Sequence, residues 1–454
     1  MVKRWAVFST IFFFIYFLFL IYRNPYINHH HDPFKIRSTS HSNTIRFINR
    51  HQTKFKLNCF NGNQTKTCPK DNSLVHAFHH DQQHSSSLTC PEYFRWIHED
   101  LKPWKNTGIT REMMERGLNI SQLRIVIKKG KAYVEAYGDS YQTRDLYSVW
   151  GIVQLLRLYP GRVPDLELLF ETGDHTVLDK QQFRSVTPPP IFSYCGQKDS
   201  LDIVFPDWSY WGWAETAIKP WEKVLKDIKE SSKKIQWKDR IPYAFWKGNS
   251  YLSYARRTLS TCNVTDEQDW NARHWNNETR QGFKNTKLED QCTHRYKIYV
   301  EGISWSVSEK YILACDSMTL FIKPRYYDFF SRSLVPYKHF WPISDQSICQ
   351  DIKYAVDWGN THPQKAKAIG REGTRFVEEN VKMTFVYDYM LHLLTEYAKL
   401  LRFEPIIHPN AVEVCSENLA CPTGGLWRKF MVDSMVKSPS HTTPCRMFSS
   451  YDEQ

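Results

Sequence analysis

The 11 cysteines of this 454-residue chain lack the paired spacing of a zinc site, and its basic residues lack the clustering of a nucleic-acid-binding surface. Scattered cysteines in this number are typical of an oxidising compartment, where they form disulfides. Because 11 is odd, at least one thiol is predicted to be free or to pair with another chain. The net charge of +12 is spread along the sequence, which disfavours nucleic acid and favours a small anionic ligand such as a sugar nucleotide.

The N-terminal apolar run is not followed by the small residues that signal peptidase requires. Residues 5–22 are almost entirely apolar and follow Lys3 and Arg4. A helix of this length is about 27 Å long, close to the thickness of an early secretory membrane. The two basic residues favour a cytosolic N-terminus, and residues 23–26 offer no cleavage site. We therefore expect an uncleaved type II signal anchor with residues 1–4 as its cytosolic tail, rather than a cleaved signal peptide.

Residues 451–454 do not form a KDEL-type retrieval sequence. Retention is therefore expected to depend on the N-terminal span or on the cytosolic tail. This points toward the Golgi, and the expected location is the membrane of the Golgi or of the endoplasmic reticulum, with the globular part in the lumen. Asn-x-Ser/Thr tripeptides agree with lumenal exposure and occur at Asn63, Asn119, Asn263 and Asn277.

Changes in composition divide the lumenal part of the chain into four segments. Residues 23–89 are rich in His, Asn, Ser, Thr and Gln and predict a flexible stem. Short apolar strands alternate with helices in residues 90–239 and 240–403, which predicts two α/β lobes with largely parallel sheets. Residues 404–454 are less periodic and predict an extended, cysteine-containing surface tail. Two such lobes leave a cleft between them, and open α/β sheets bind ligands beyond the carboxyl ends of their strands.

One candidate anion site follows a predicted strand at residues 295–300. Gly302 permits a tight turn, and Ser306 with Glu309 has the spacing of a capping box that would start a helix. The free N–H groups of that helix start would attract phosphate, and Lys310 adds a cation one turn later. The alternative is an ordinary capped helix without a ligand.

A second candidate anion site is formed by Lys247 and Gly248, which follow a predicted strand at residues 242–246. The glycine would let backbone approach a ligand, and the lysine supplies charge. A solvated turn lysine is the alternative. Two such loops in one lobe make a diphosphate site more credible than either alone.

Asp145 opens a predicted helix in the first lobe, where apolar residues at helical spacing run to Leu156. It is either a complement to the helix dipole or a general base at the edge of the cleft. Other carboxylates compete for the second role, namely Asp139, Asp165, Asp174 and Asp207.

Four large aromatic residues crowd one short stretch, Trp208, Tyr210, Trp211 and Trp213. We do not expect all four to point inward. Stacking on sugar rings or contact with a partner loop is a hypothesis for those that do not.

Several motifs in a fixed order resemble the Rumi-type protein O-glucosyltransferase family, in particular its plant lumenal, KDEL-containing-protein-like members. The resemblance covers residues 90–403. The motifs lie at residues 100–104, 108–109, 164–167, 205–211, 245–248 and 315–318.

The resemblance implies a metal-independent GT-B fold, in which two Rossmann-like lobes face each other and the second binds most of the nucleotide sugar. It implies transfer of glucose or xylose from a UDP-sugar to a hydroxyl group with inversion, and it places the catalytic aspartate at Asp145. A wall-polysaccharide xylosyltransferase on the same fold and a catalytically silent lumenal sugar-binding or scaffold protein are the alternatives.

The chain departs from the animal members of this family at three positions. Glu301 and Ser308 stand where those members have arginine, and Lys247 also replaces an arginine. Lysine neutralises phosphate but lacks the bidentate fork of arginine. Diphosphate contact is therefore expected from Lys247, Lys310 and the helix start, and Glu301 is expected to accept hydrogen bonds from a ribose diol.

Overall fold

The computed structural model describes residues 54–59, 67–69, 88–276 and 287–447. The tail and signal anchor predicted for residues 1–22 lie outside this part of the chain, as do Asn63 and Asn277. Among the described helices, none has both the length and the apolar composition to cross a membrane. Asn119 and Asn263 are exposed.

Strands from the first half of the chain form a mixed sheet with one strand from the C-terminal segment. They are β1 (Leu123–Lys128), β2 (Lys131–Ala136), β3 (Leu166–Phe170), β4 (Ile191–Ser193), β6 (Ile203–Val204) and β13 (Val412–Val414). The order is β13-β2-β1-β3-β4-β6. β3, β4 and β6 are parallel, as predicted, but β1 is antiparallel to both β2 and β3. The tight turn at Lys129 and Gly130, both with positive φ, forces the β1–β2 hairpin to be antiparallel.

The helices of the first half pack around this sheet. They are α1 (Trp96–Leu101), α2 (Arg111–Gly117) and α3 (Arg144–Leu158). The next helix, α4 (Trp221–Ser232), packs mainly against residues Leu288–Gln291 and Ser308–Leu313 of the second half. The helix predicted from the spacing of apolar residues is α3, which is buried along most of its length. It ends before Pro160, which cannot donate a backbone hydrogen bond to a continuing helix.

The second half forms a sheet in which every pair of neighbouring strands is parallel. Its strands are β7 (Ile241–Gly248), β8 (Ala272–Asn276), β9 (His294–Tyr299), β10 (Met318–Ile322) and β12 (Trp341–Ile343). The order is β12-β10-β9-β7-β8, so the direction of chain progression reverses between β7 and β9. Ligands of open α/β sheets bind beyond the carboxyl ends of the strands at such a reversal.

Helices connect and cover this second sheet. They are α5 (Tyr254–Thr261), α6 (Ser308–Leu313), α7 (Ile348–Thr361) and α8 (Pro363–Asn380). The next helix, α9 (Met383–Leu400), packs instead against α1, α3 and β3 of the first half. A short antiparallel pair, β5 (Gly196–Gln197) with β11 (Tyr326–Tyr327), joins segments from the two halves.

The C-terminal segment differs from the extended tail that the sequence predicts. It contributes β13 to the first sheet and forms α10 (Ser416–Ala420) and α11 (Gly425–Ser434). Disulfides tie it to the N-terminal side of the globular part through the pairs Cys59–Cys421, Cys68–Cys415 and Cys90–Cys445. Two further disulfides, Cys262–Cys349 and Cys292–Cys315, lie in the second half. Cys195 is buried and free, which confirms the prediction of an unpaired thiol.

Candidate functional site

A cavity of about 600 Å³ is lined by residues from both halves of the chain. The first half supplies Tyr141, Arg144, Asp174, Trp208 and Glu215, among others. The second half supplies Lys247 and Gly248, the last two residues of β7, and residues that follow β9, including Gly302 and Ser306. The cavity therefore lies at the reversal of strand order, and its size is that of a small-molecule site.

Four of the predicted site residues, Lys247, Gly248, Gly302 and Ser306, line this cavity. Their two loops are brought together because β7 and β9 are adjacent parallel strands and end at the same edge of the sheet. That these residues contact a ligand stays a prediction.

The surroundings of Gly248 require a glycine, whereas those of Gly302 do not. A Cβ atom at Gly248 would lie 2.5 Å from Cζ2 of the buried Trp246 ring, so packing within the chain requires a glycine there. At Gly302 the nearest atom to an added Cβ would be Nη2 of Arg256 at 3.5 Å, which is ordinary contact. Gly302 is therefore compatible with a side chain as far as its protein neighbours are concerned.

Glu301 and Lys310 are not among the residues that line the cavity. The Glu301 carboxylate accepts hydrogen bonds from the backbone N–H groups of Arg325, at 2.8 Å, and Tyr326, at 3.2 Å. The Lys310 ammonium is buried and donates to Asp207 Oδ2, at 3.1 Å, and Ser209 Oγ, at 2.8 Å. Both side chains have partners inside the protein, so neither is positioned for the ribose or phosphate contact that the sequence predicts.

The predicted capping box does not form at the start of α6. The N-cap position is Val307, without a side-chain hydrogen bond. Ser306 Oγ instead lies 2.8 Å from Ser308 Oγ. The Glu309 carboxyl group points into the protein, where burial and then the charge of Asp328 raise its pKa well above the ordinary value. Because the Glu309 side chain is buried in the core, it does not accept a hydrogen bond from the backbone N–H of Ser306, as a capping box requires.

Arg256 is a cavity residue that the sequence prediction missed. Its buried guanidinium donates to the carbonyl oxygens of Glu301 at 3.0 Å, Val300 at 3.3 Å and Asn249 at 3.3 Å. Burial lowers its pKa to about 10. Among the described residues, no carboxylate oxygen lies within 4.0 Å of it, so the positive charge at the cavity wall has no ion-pair partner.

The sequence contains only a weak signal for Arg256. Ser253 has the spacing of an N-cap, and its Oγ does accept from the Arg256 N–H at 3.2 Å. The neighbouring Arg257 is exposed, and the residue type alone does not reveal which of the two arginines faces the cavity.

On the opposite wall, Asp145 follows Arg144, which lines the cavity, but is not itself among the lining residues. It is half-buried at the start of α3. Burial raises the pKa of its carboxyl group above the ordinary value, and the nearby charges of Glu215 and Asp139 raise it further. A raised pKa favours proton uptake near neutral pH, which is what a general base requires.

Two other carboxylates of this wall are engaged by neighbours. Asp174 accepts two hydrogen bonds from the guanidinium of Arg144, at 2.8 Å and 3.2 Å. Glu215 accepts one from Thr143 Oγ1 at 2.9 Å. The guanidinium of Arg144 thus occupies both carboxylate oxygens of Asp174, which leaves Asp174 less accessible to an acceptor hydroxyl than Asp145.

The remaining competitors for the base role lie elsewhere. Asp165 accepts from the backbone N–H of Lys129, and Asp207 is paired with Lys310. Asp139 is exposed beside Asp145.

The aromatic stretch is mostly core. Trp208, Tyr210 and Trp211 are buried, and Trp213 is half-buried. Trp208 and Trp213 also line the cavity, with ring centroids 5.2 Å apart. The expectation that not all four point inward is met by Trp213, which is available to a ligand.

Comparison with known proteins places this site in a family. The sequence matches Glycosyl transferase family 90 over residues 85–454. It is similar to O-glucosyltransferase rumi of Drosophila melanogaster, with 25% identity over 338 residues that cover 69% of this chain and 78% of the relative. Protein O-glucosyltransferase 1 is 26% identical in Bos taurus and 25% identical in Homo sapiens, in each case over 339 residues that cover 70% of this chain and 82% of the relative. The resemblance seen in the motifs is confirmed: the chain belongs to glycosyl transferase family 90 and is a glycosyltransferase.

Proposed function

We propose that this glycosyltransferase moves glucose or xylose from a UDP-sugar to a hydroxyl group of a lumenal protein or glycan, with inversion and without a metal ion. The names of its relatives favour glucose and a protein acceptor. The observation that carries the proposal is the buried guanidinium of Arg256 beside a cavity at the reversal of strand order. Two parallel-strand loops and a cleft between two sheets also support a GT-B arrangement with the nucleotide on the second sheet.

The charge of Arg256 is the reason for placing the diphosphate there. A buried cation with only neutral partners is unfavourable until an anion supplies the counter-charge. Lys247 lines the same cavity, where partial burial lowers its pKa. A diphosphate between these two side chains would be neutralised by them as the leaving group develops charge, and this role requires no metal ion.

The start of α3 supplies the base, next to Arg144 of the opposite wall. In a single displacement, the acceptor oxygen forms a bond to the anomeric carbon while the bond from that carbon to the UDP oxygen breaks. The electron pair leaves with UDP, and the acceptor proton passes to the Asp145 carboxylate. Attack from the face opposite to UDP inverts the anomeric configuration. Desolvation of Asp145 raises its pKa and so strengthens it as a base.

We also propose that residues 5–22 anchor the enzyme as a type II protein in the Golgi or endoplasmic reticulum membrane. The five disulfides of the globular part are what an oxidising lumen would produce.

The test of the proposal is UDP release by the full chain in detergent with a panel of UDP-sugars. Release from UDP-glucose or UDP-xylose that persists in EDTA is expected. If no UDP-sugar is hydrolysed or transferred, the donor class is wrong. If EDTA abolishes turnover and a divalent cation restores it, the metal-independent mechanism is wrong.

The base assignment is tested by Asp145→Asn. Turnover should fall by about 100- to 10,000-fold, because no carboxylate is left to receive the proton of the acceptor hydroxyl. UDP affinity should change by less than about twofold. Asp139→Asn is the matched control, since Asp139 is an exposed carboxylate beside Asp145. If Asp145→Asn keeps its turnover and Glu215→Gln loses it, Glu215 is the base.

A further inference from the structure

The inner end of the cavity holds a lysine to which the proposed mechanism gives no role. Lys297 lies on β9 and is only 2% exposed, yet it lines the cavity. Its ammonium donates to the carbonyl oxygen of Gln291 at 3.1 Å and lies 4.7 Å from the centre of the Phe245 ring. No carboxylate oxygen of the described chain lies within 4.0 Å of it.

The surroundings of Lys297 fit a flat ring rather than a phosphate. Phe245, Leu288 and Ile312 line the same cavity and offer apolar and aromatic surface. The ammonium of Lys297 has hydrogens beyond the one donated to Gln291, and the Gln291 carbonyl oxygen has a second lone pair. A donor and an acceptor therefore lie side by side, 3.1 Å apart. A ring edge that carries a carbonyl group next to an N–H group complements this pair.

The position of Lys297 relative to the proposed diphosphate site agrees with a nucleoside. Lys297 pairs in register with Phe245 on β7. Lys247 follows Phe245 by two residues on the same strand and points to the same face. The base site would thus be one strand across and about 7 Å back along the sheet from Lys247. A ribose can bridge this separation.

We infer that Lys297 and the Gln291 carbonyl form the nucleobase site and read the imide edge of uracil, Lys297 donating to a ring carbonyl and Gln291 accepting from the ring N–H. This inference rests on the proposed UDP-sugar donor. Burial lowers the pKa of Lys297 to about 7, which agrees with a group that lacks a counter-charge inside the protein. Lys297 is a specificity-determining residue in this assignment and takes no part in bond making.

The experiment measures binding of UDP, inorganic pyrophosphate and N3-methyl-UDP to the full chain in detergent by calorimetry. Lys297→Met keeps the length of the side chain and removes the donor. It should weaken UDP by about 10- to 100-fold and pyrophosphate by less than about twofold. Lys323→Met, at an exposed lysine just after β10, is the matched control and should change neither affinity.

The methylated nucleotide tests the Gln291 carbonyl without any substitution. Its methyl group replaces the N–H, so the wild-type chain should bind it at least about tenfold more weakly than UDP. Equal affinity for the two nucleotides overturns the inference even if Lys297→Met fails to fold.

Equal weakening of UDP and pyrophosphate by Lys297→Met also overturns it, because Lys297 would then read phosphate. If the wild-type chain binds pyrophosphate and UDP equally well, the base site is wrong while the diphosphate site stands, and if it binds neither, the proposed function itself fails.

Discussion

Two lysines of the second half are buried to almost the same degree, yet their surroundings are opposite. Lys310 is 1% exposed and forms an ion pair with Asp207, whereas Lys297 is 2% exposed and has a carbonyl oxygen as its hydrogen-bond acceptor. Burial alone would lower both pKa values. The charges of Asp207, Tyr311 and Asp328 raise that of Lys310 above its ordinary value, while that of Lys297 falls to about 7. Lys310 is therefore held by the scaffold, whereas Lys297, which lines the cavity and has no carboxylate oxygen within 4.0 Å among the described residues, is available to a polar ligand.

The largest effect should come from breaking the ion pair of Lys310. Lys310→Met leaves Asp207 buried without its cation and should reduce the free energy of unfolding by about 3–5 kcal/mol. A thermal melt in the absence of ligand measures this. A variant that melts with the wild-type chain would show that the pair contributes nothing, and the contrast between the two lysines would lose its basis.

Lys297→Met is the control for that comparison and should change stability in the opposite direction. The folded-state pKa of about 7 lies below the unfolded value, so the folded state disfavours the charged form. Stability of the wild-type chain should therefore rise as the pH increases from about 7 to about 10. The stability gained by Lys297→Met should be largest at and below about pH 7 and should shrink above it.

A smaller effect extends the comparison to Arg256, another buried cation of the cavity wall with no carboxylate oxygen within 4.0 Å among the described residues. Arg256→Met should weaken UDP by about 10- to 100-fold, because a charge-assisted contact to the diphosphate is lost. Calorimetry with UDP and with pyrophosphate should show the same loss for both ligands, unlike Lys297→Met. Arg257→Met, at the exposed neighbour, should bind both ligands like the wild-type chain. Unchanged affinity in Arg256→Met would remove it from the site.

The smallest expected effect is a shift in the pH dependence of turnover, and it concerns two carboxylates of the first half. Asp174 is paired with Arg144, whereas Asp145 has the like charge of Glu215 nearby. Burial and, to a smaller extent, the charge of Glu215 raise the pKa of Asp145. A general base must be ionised, so turnover should decline as the pH falls through this raised pKa. Glu215→Gln removes one negative charge and should move the decline to lower pH by less than about one unit. A pH–rate profile measures the shift, and a shift to higher pH would contradict the assignment.

Local pattern predicted much of the fold. The strands predicted at residues 242–246 and 295–300 are β7 (Ile241–Gly248) and β9 (His294–Tyr299), and the predicted helix that Asp145 opens is α3 (Arg144–Leu158). The pairing of β13 with β2 was not predictable, because three residues joined to the sheet across more than 270 positions carry no local signal.

The sequence predicts which loops form the site, but not which side chains point into it. The strand-end positions of Lys247 and Gly302 follow from the rule for parallel sheets, and both residues line the cavity. The direction in which a side chain points depends on packing between distant segments. The sequence therefore predicts Lys310 in the cavity, but Lys310 pairs with Asp207 from the other half of the chain. Lys297 lies within β9, where no local pattern distinguishes it as a cavity residue.

The three disulfides that join the N-terminal side of the globular part to the C-terminal segment also determine where a soluble form of the enzyme can be cut. Cys59 and Cys68 lie in the predicted stem, but both are cross-linked to residues beyond 414. If residues 5–22 are the proposed membrane anchor, proteolytic shedding can release an intact body only when the protease acts upstream of Cys59. A cut between Cys68 and Cys90 would leave the product tethered to that proposed anchor through sulfur until a reductant frees it.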